Sequence, residues 1–123
     1  MLAAGLDHIH RIGGGRVENL RLKPRETKLN PPGISVLWAP SPGEAARQMR
    51  ELFPDAEGLQ EAAKVVGSTR TERIRSAGFD IVADPMRKLP NHHRIVHPDG
   101  ALGFNDNNLR RRAEAFTDTV GHE

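Results

Sequence analysis

The apolar period of this chain changes along its length, and no other feature limits its fold as strongly. Val17-Glu18-Asn19-Leu20-Arg21-Leu22-Lys23 alternates, with Leu20 and Leu22 on one side and Asn19, Arg21 and Lys23 on the other. That is the period of a half-buried strand, which Pro24 ends. Ile34-Ser35-Val36-Leu37-Trp38 reads as a second short strand behind the stiff Pro31-Pro32-Gly33 turn. The period then lengthens to that of a helix. Ser41-Pro42-Gly43-Glu44 combines an N-capping serine, a proline suited to the first helical position and a capping-box glutamate. Ala45, Met49, Leu52 and Phe53 follow on one face until Pro54 stops the helix. A second helix after Asp55 buries Leu59, Ala62, Ala63 and Val66 and ends at Gly67, and a third opens at Thr69-Arg70-Thr71-Glu72 and closes at Gly78. Period two returns in Phe79-Asp80-Ile81-Val82-Ala83 and again from His92 to His97, ahead of a Pro98-Asp99-Gly100 turn. Asp106 caps a final helix with Leu109, Ala113, Phe116 and Val120 on one stripe. Strands first and last, with helices bunched between them, predict an α+β domain and not a doubly wound parallel sheet.

A chain of 123 residues fits one compact domain. Residues 1–15 read as a flexible lead-in whose joint is Gly13-Gly14-Gly15, and residues 16–123 as the folded unit. With no cysteine, disulfides, thiolate nucleophiles and cysteine metal sites are all excluded. Aromatics make up only 4%, so the core must rest on Leu, Ile, Val and Ala. A formal charge of +2 permits an anionic ligand without demanding a nucleic-acid groove, and no Tyr, one Trp and four Phe leave little for base stacking. The apolar runs are too short to span a membrane, and the Met-Leu-Ala-Ala-Gly-Leu start lacks the basic region of a signal peptide.

The densest reactive cluster is Asn91-His92-His93-Arg94-Ile95-Val96-His97. On a strand, His92, Arg94 and Val96 face one way and His93, Ile95 and His97 the other. Neither face is plainly apolar, and such a break in the folding pattern marks a candidate site. Histidine moves protons near neutral pH and arginine holds phosphate. The plainer account of these residues is an edge strand with one hydrogen-bonded core histidine. A metal is disfavoured, because His93 and His97 stand about 13 Å apart on a strand and no His-Glu-x-x-His occurs. Arg21 is either a solvated strand residue or a phosphate clamp. Ser35 lacks the Gly-x-Ser-x-Gly setting of a hydrolase nucleophile. The Arg110-Arg111-Arg112 run reads as a solvated helix face.

Several phrases together resemble a known family. They are Val17-Glu18-Asn19-Leu20-Arg21-Leu22-Lys23-Pro24, Pro32-Gly33-Ile34-Ser35-Val36-Leu37, Pro42-Gly43-Glu44-Ala45-Ala46, Ile74-Arg75-Ser76-Ala77-Gly78-Phe79-Asp80 and the run from Leu89 to Gly100. They are similar to the C-terminal toxin domains of Rhs-type polymorphic proteins, of the TreTu kind, and the His-rich phrase is similar to the ending of Tse2-like toxins. The likeness spans about residues 16–122. It implies an ADP-ribosyltransferase-like fold, a small split β-sheet with helices between the strand pairs. It also implies transfer of ADP-ribose from NAD, as substrate, to a protein acceptor, with elongation factor Tu expected. A cognate immunity protein, a secreted Rhs shell as parent chain, type VI secretion by the producer and action in the target-cell cytoplasm come with it. Membrane and nucleic-acid partners do not. In the family's scheme an Arg on the first strand holds the NAD phosphates, a Gly-x-Ser on the next supports the nicotinamide ribose, and a late strand adds a polar group. In chain order the resemblance gives those roles to Arg21, Ser35 and His93 as catalytic residues, with Asn91 beside them at the NAD. This sequence has no late Glu-x-Glu or Gln-x-Glu pair. The alternative is a small metal-independent ribonuclease toxin built on the His92, His93 and Arg94 cluster, with Lys88 beside it, as base, acid and phosphate clamp.

Overall fold

In the computed structural model the described residues are 8–120. They form strand β1 at His8–Ile12, helix α1 at Val17–Leu20, strand β2 at Gly33–Trp38, helix α2 at Pro42–Leu52 and helix α3 at Glu57–Ala62. Strand β3 at Val65–Arg70, helix α4 at Thr71–Ser76, strand β4 at Asp80–Ala83 and strand β5 at His92–Val96 follow, then helix α5 at Asp106–Glu114 and strand β6 at Thr117–Val120. The fold is α+β, as the changing period predicts. Its six strands join in the order β4-β5-β2-β1-β3-β6, and every neighbouring pair is antiparallel. The ladder therefore runs through all six strands, where a sheet split in two was expected. The seam between β1 and β2 is nevertheless short, pairing Ile9 with Trp38 and His10 with Leu37.

Both faces of the sheet are covered. On one, Ile9, Ile34, Val36 and Ile95 pack with Leu20, Ile74, Phe79, Phe104 and Leu109. Ile34 and Ile95 are cross-strand partners and wholly buried, which stabilises the fold by about 1.5–3 kcal/mol per side chain. On the other face, Leu37 packs with Ala39, Ala45 and Leu89, and Val66 with Ala46 and Ala63. Helix α2 forms where the capping box places it: the Ser41 hydroxyl accepts from the Glu44 N–H, and Pro42 opens the first turn. Helix α5 is capped one residue earlier than expected, by Asn105, whose side chain accepts from the Asn108 N–H.

Three expectations are corrected. The residues expected to form a strand from Val17 make α1 and an irregular exit. Leu20 is fully buried and Val17 and Leu22 partly so, a burial pattern that one helical turn satisfies as well as a strand does. The lead-in reading fails for its described part, because β1 lies inside the sheet between β2 and β3; residues 1–7 lie outside the described residues. Nor is the glycine run a joint. Gly13 and Gly14 turn the chain at φ +98° and +99°, where side chains are strained. Gly15 packs so closely on Phe116 and on Gly67 that a Cβ on either glycine would overlap its neighbour. Third, Val66 is in β3 and not in a helix, and the last helix stops at Glu114. The β-branched residues of Val65-Val66 and Thr117-Asp118-Thr119-Val120 favour strands, and the two segments pair with each other.

Candidate functional site

Beyond His10 the seam between β1 and β2 is bridged by a side chain. Arg11 of β1 reaches across, its Nη1 donating to the Ser35 carbonyl at 2.8 Å and its Nε to the Asn19 carbonyl at 3.0 Å. Arg11 is only 5% exposed, and its Nη2 is buried with no hydrogen-bond partner. A buried guanidinium nitrogen without an acceptor carries a desolvation cost of about 1–3 kcal/mol or more. Burial is the main cause that lowers the pKa of Arg11 from the usual arginine range, and Glu26 opposes it.

Arg11 forms part of the wall of a cavity of about 560 Å³. His10, Ser35 and His92 line it from the sheet, Lys23, Arg25 and Glu26 from the loop after α1, and Met49, Phe53, Leu59 and Leu89 supply an apolar side. Apolar walls with a few fixed polar groups are the usual make-up of a small-ligand site. Here the polar side carries an excess of cationic groups, so an anionic ligand fits it. Behind Arg11, on the core side, lies Arg112, fully buried, stacked on Phe79 and Phe104 at 4.4 and 4.8 Å and donating to the Leu20 carbonyl. Burial first, and then repulsion from Arg11, lower Arg112 to about 9 against the pull of Glu26. Arg112 was expected on a solvated helix face. The aromatic pair and the Leu20 carbonyl are what hold it inside.

The histidines divide by role. His10 is a core histidine whose Nε2–H donates to the Ala39 carbonyl at 2.9 Å while Nδ1 lies 2.8 Å from the Ser68 hydroxyl. His92 donates from Nδ1 to the Asp84 carbonyl at 2.9 Å, which in the neutral ring leaves Nε2 an acceptor. Its neighbour Arg94 is tied to the Asp84 carboxylate at 3.1 Å and donates to the Pro31 carbonyl. His93 stands opposite Val36, on the other face of β5 from His92, and donates to the Asn91 carbonyl at 2.9 Å. His97 accepts from the Asp99 N–H at 3.0 Å and meets the Phe79 ring edge-on. The trio of His92, His93 and Arg94 therefore does not converge on one point.

Of the residues picked out by sequence, the cavity brings in Ser35 and, from the His-rich strand, His92. Arg21 sits at the exit of α1, half exposed and ion-paired with Asp106 at 2.7 Å. Asn91 lies at a separate groove beside Trp38, where its amide pairs with that of Gln48 at 2.9 and 3.0 Å. His93 lies on the far face. Arg11, His10 and Glu26 were not legible as site residues. Ile9 and Ile12 stand three apart, so the segment shows no period of two to betray a strand. Among the described residues no helix is long and apolar enough to cross a membrane. Compared with known proteins, the chain matches no family model, and no curated protein and no solved structure is significantly similar to it.

Proposed function

We propose that this domain is an antibacterial toxin that transfers ADP-ribose from NAD to a protein in the competitor's cytoplasm, with elongation factor Tu the acceptor that the family resemblance implies. The observation that carries the reading is the unpartnered Nη2 of Arg11, on the first strand, in the wall of a cavity that Ser35 of the next strand and His92 of a late strand also line. The ADP-ribosyltransferase scheme asks for an arginine, a serine and a late polar group in that order. Arg11 meets the first requirement better than Arg21 does, because Arg21 is already paired at the surface. A dinucleotide diphosphate would give the orphaned donor its acceptor, in a charge-assisted bond. The Met49, Phe53 and Leu89 side offers an apolar bed for a ring. With Nδ1 held on the Asp84 carbonyl, His92 would offer Nε2 to a ribose hydroxyl. Delivery by a secreted Rhs parent chain, and an immunity protein that occludes this cavity, belong to the same proposal.

Incubation of the purified domain with labelled NAD and a bacterial lysate tests it. The wild type should label one protein band. In Arg11→Gln, NAD binding should weaken by about 10- to 100-fold, the worth of a hydrogen bond to a charged group, and the label should fade accordingly. Absence of label together with shortened RNA in the same tube would turn the assignment to the ribonuclease.

A further inference from the structure

The geometry points to a binding site for one small monovalent anion, of the chloride class, between the buried guanidiniums of Arg11 and Arg112. It stands without the NAD-dependent reading: the anion is the partner of this pair when no dinucleotide is bound. The two side chains come together at the end of α1. Arg11 Nε donates to the Asn19 carbonyl, and Arg112 Nη2 donates to the carbonyl of the next residue, Leu20. Arg11 is only 5% exposed and Arg112 is wholly buried. Between them they hold three buried donor atoms that no acceptor among the described residues meets: Nη2 of Arg11, and Nε and Nη1 of Arg112. A buried charge is costly unless it is paired and hydrogen-bonded. Loss of the proton does not relieve that cost at neutral pH, because Arg112, even lowered to about 9, is still charged there.

The surroundings of the pair leave these donors unmet. Phe79 and Phe104 lie against Arg112 at 4.4 and 4.8 Å, and their π-density offsets charge without offering a lone pair. Glu26 is the carboxylate that acts on both arginines. It is buried, its Oε1 accepts from the Lys23 N–H at 2.8 Å, and it reaches none of the three donors. Two guanidiniums against one carboxylate leave one net positive charge. A monovalent anion brings the group to balance and accepts from several N–H groups at once. A divalent anion would overshoot by one charge where little water screens it. A halide also has no fixed lone-pair directions, which suits donors on two separate guanidiniums. The way in is the cavity whose wall Arg11 forms. Lys23 and Arg25 line that cavity too, but they are exposed and solvent serves them.

Thermal melting at about pH 7 without dinucleotide tests the site, with chloride replacing gluconate at constant ionic strength. Gluconate has the same charge and is too large to enter between two packed side chains. An anion that binds only the folded state stabilises it in proportion to ln(1 + [anion]/Kd). For a Kd of about 10 mM, raising chloride from about 1 to about 300 mM should lift the wild-type Tm by about 5 °C. The rise should follow the logarithm of chloride concentration above Kd. Arg112→Met removes two of the three donors and leaves Arg11 balanced by Glu26, so its Tm should not respond to chloride. Arg11→Gln removes the third donor and leaves Arg112 balanced by Glu26, and it should behave alike; either variant carries the comparison if the other does not fold, and the wild-type concentration dependence decides if neither does. A wild type that melts alike in the two salts overturns the inference. So does a rise linear in chloride, which is a general salt effect. A rise kept in full by a folded variant overturns it as well, since it would mark an adventitious ion only.

Discussion

His10 gives the sharpest test of how this core is built, because its burial has a calculable consequence for stability against pH. The side chain is 2% exposed in the middle of β1, between the Ala39 carbonyl and the Ser68 hydroxyl. Burial is the leading cause that holds its pKa below the ordinary 6.5; the Ala39 carbonyl opposes the shift and His8 adds to it. The folded state thus resists a proton that the unfolded chain takes up below 6.5. The His10 contribution is fully present above that pH and is lost as pH falls from there towards the folded value. In the limit that His10 stays neutral in the fold, going from about pH 7.5 to about 5.5 costs about 1.4 kcal/mol. Urea unfolding at both pH values, on the wild type and on His10→Gln, isolates the effect, since the other titrating groups are common to both. The acid-induced loss should be larger in the wild type by about 1 kcal/mol. Equal losses in the two proteins would refute the reasoning, for they would mean that the buried ring accepts its proton without cost.

Arg21→Ala should change stability by no more than about 0.5–1 kcal/mol in chemical denaturation and leave the proposed NAD binding unaffected, because its pair with Asp106 is exposed on both sides. Gly67→Ala would drive a Cβ into the backbone of Gly14 and Gly15, which cannot swing away as a side chain can, so unfolding should become easier by about 1–3 kcal/mol. Ile95→Ala, emptying a wholly buried site in mid-sheet, should cost about 2–5 kcal/mol with no change in the denaturant slope.

The sequence alone determined the features whose causes are local. The Ser41 cap, Pro42 and the spaced apolar residues after them are enough to make α2, and the apolar run after Gly33 is enough to make β2. The turn at Pro98-Asp99-Gly100 likewise needs only the conformational limits of its own residues, with Gly100 at φ +64°. Tertiary structure decided whatever depends on distant partners. His10 and Arg11 are tolerable inside β1 because Ser68, Ala39, Ser35 and Asn19 come from elsewhere to meet their donors and acceptors. Arg112, in a run that reads as a solvated face, is drawn inside by Phe79, Phe104 and the carbonyl of Leu20, 92 residues earlier in the chain. The glycine run looks like a joint until Gly67 and Phe116 are packed against it. Ser35 could be singled out from its own strand, but the arginine and the glutamate that share its cavity could not. A buried charge is recognised only by the groups that surround it, and these are gathered from across the chain by the fold.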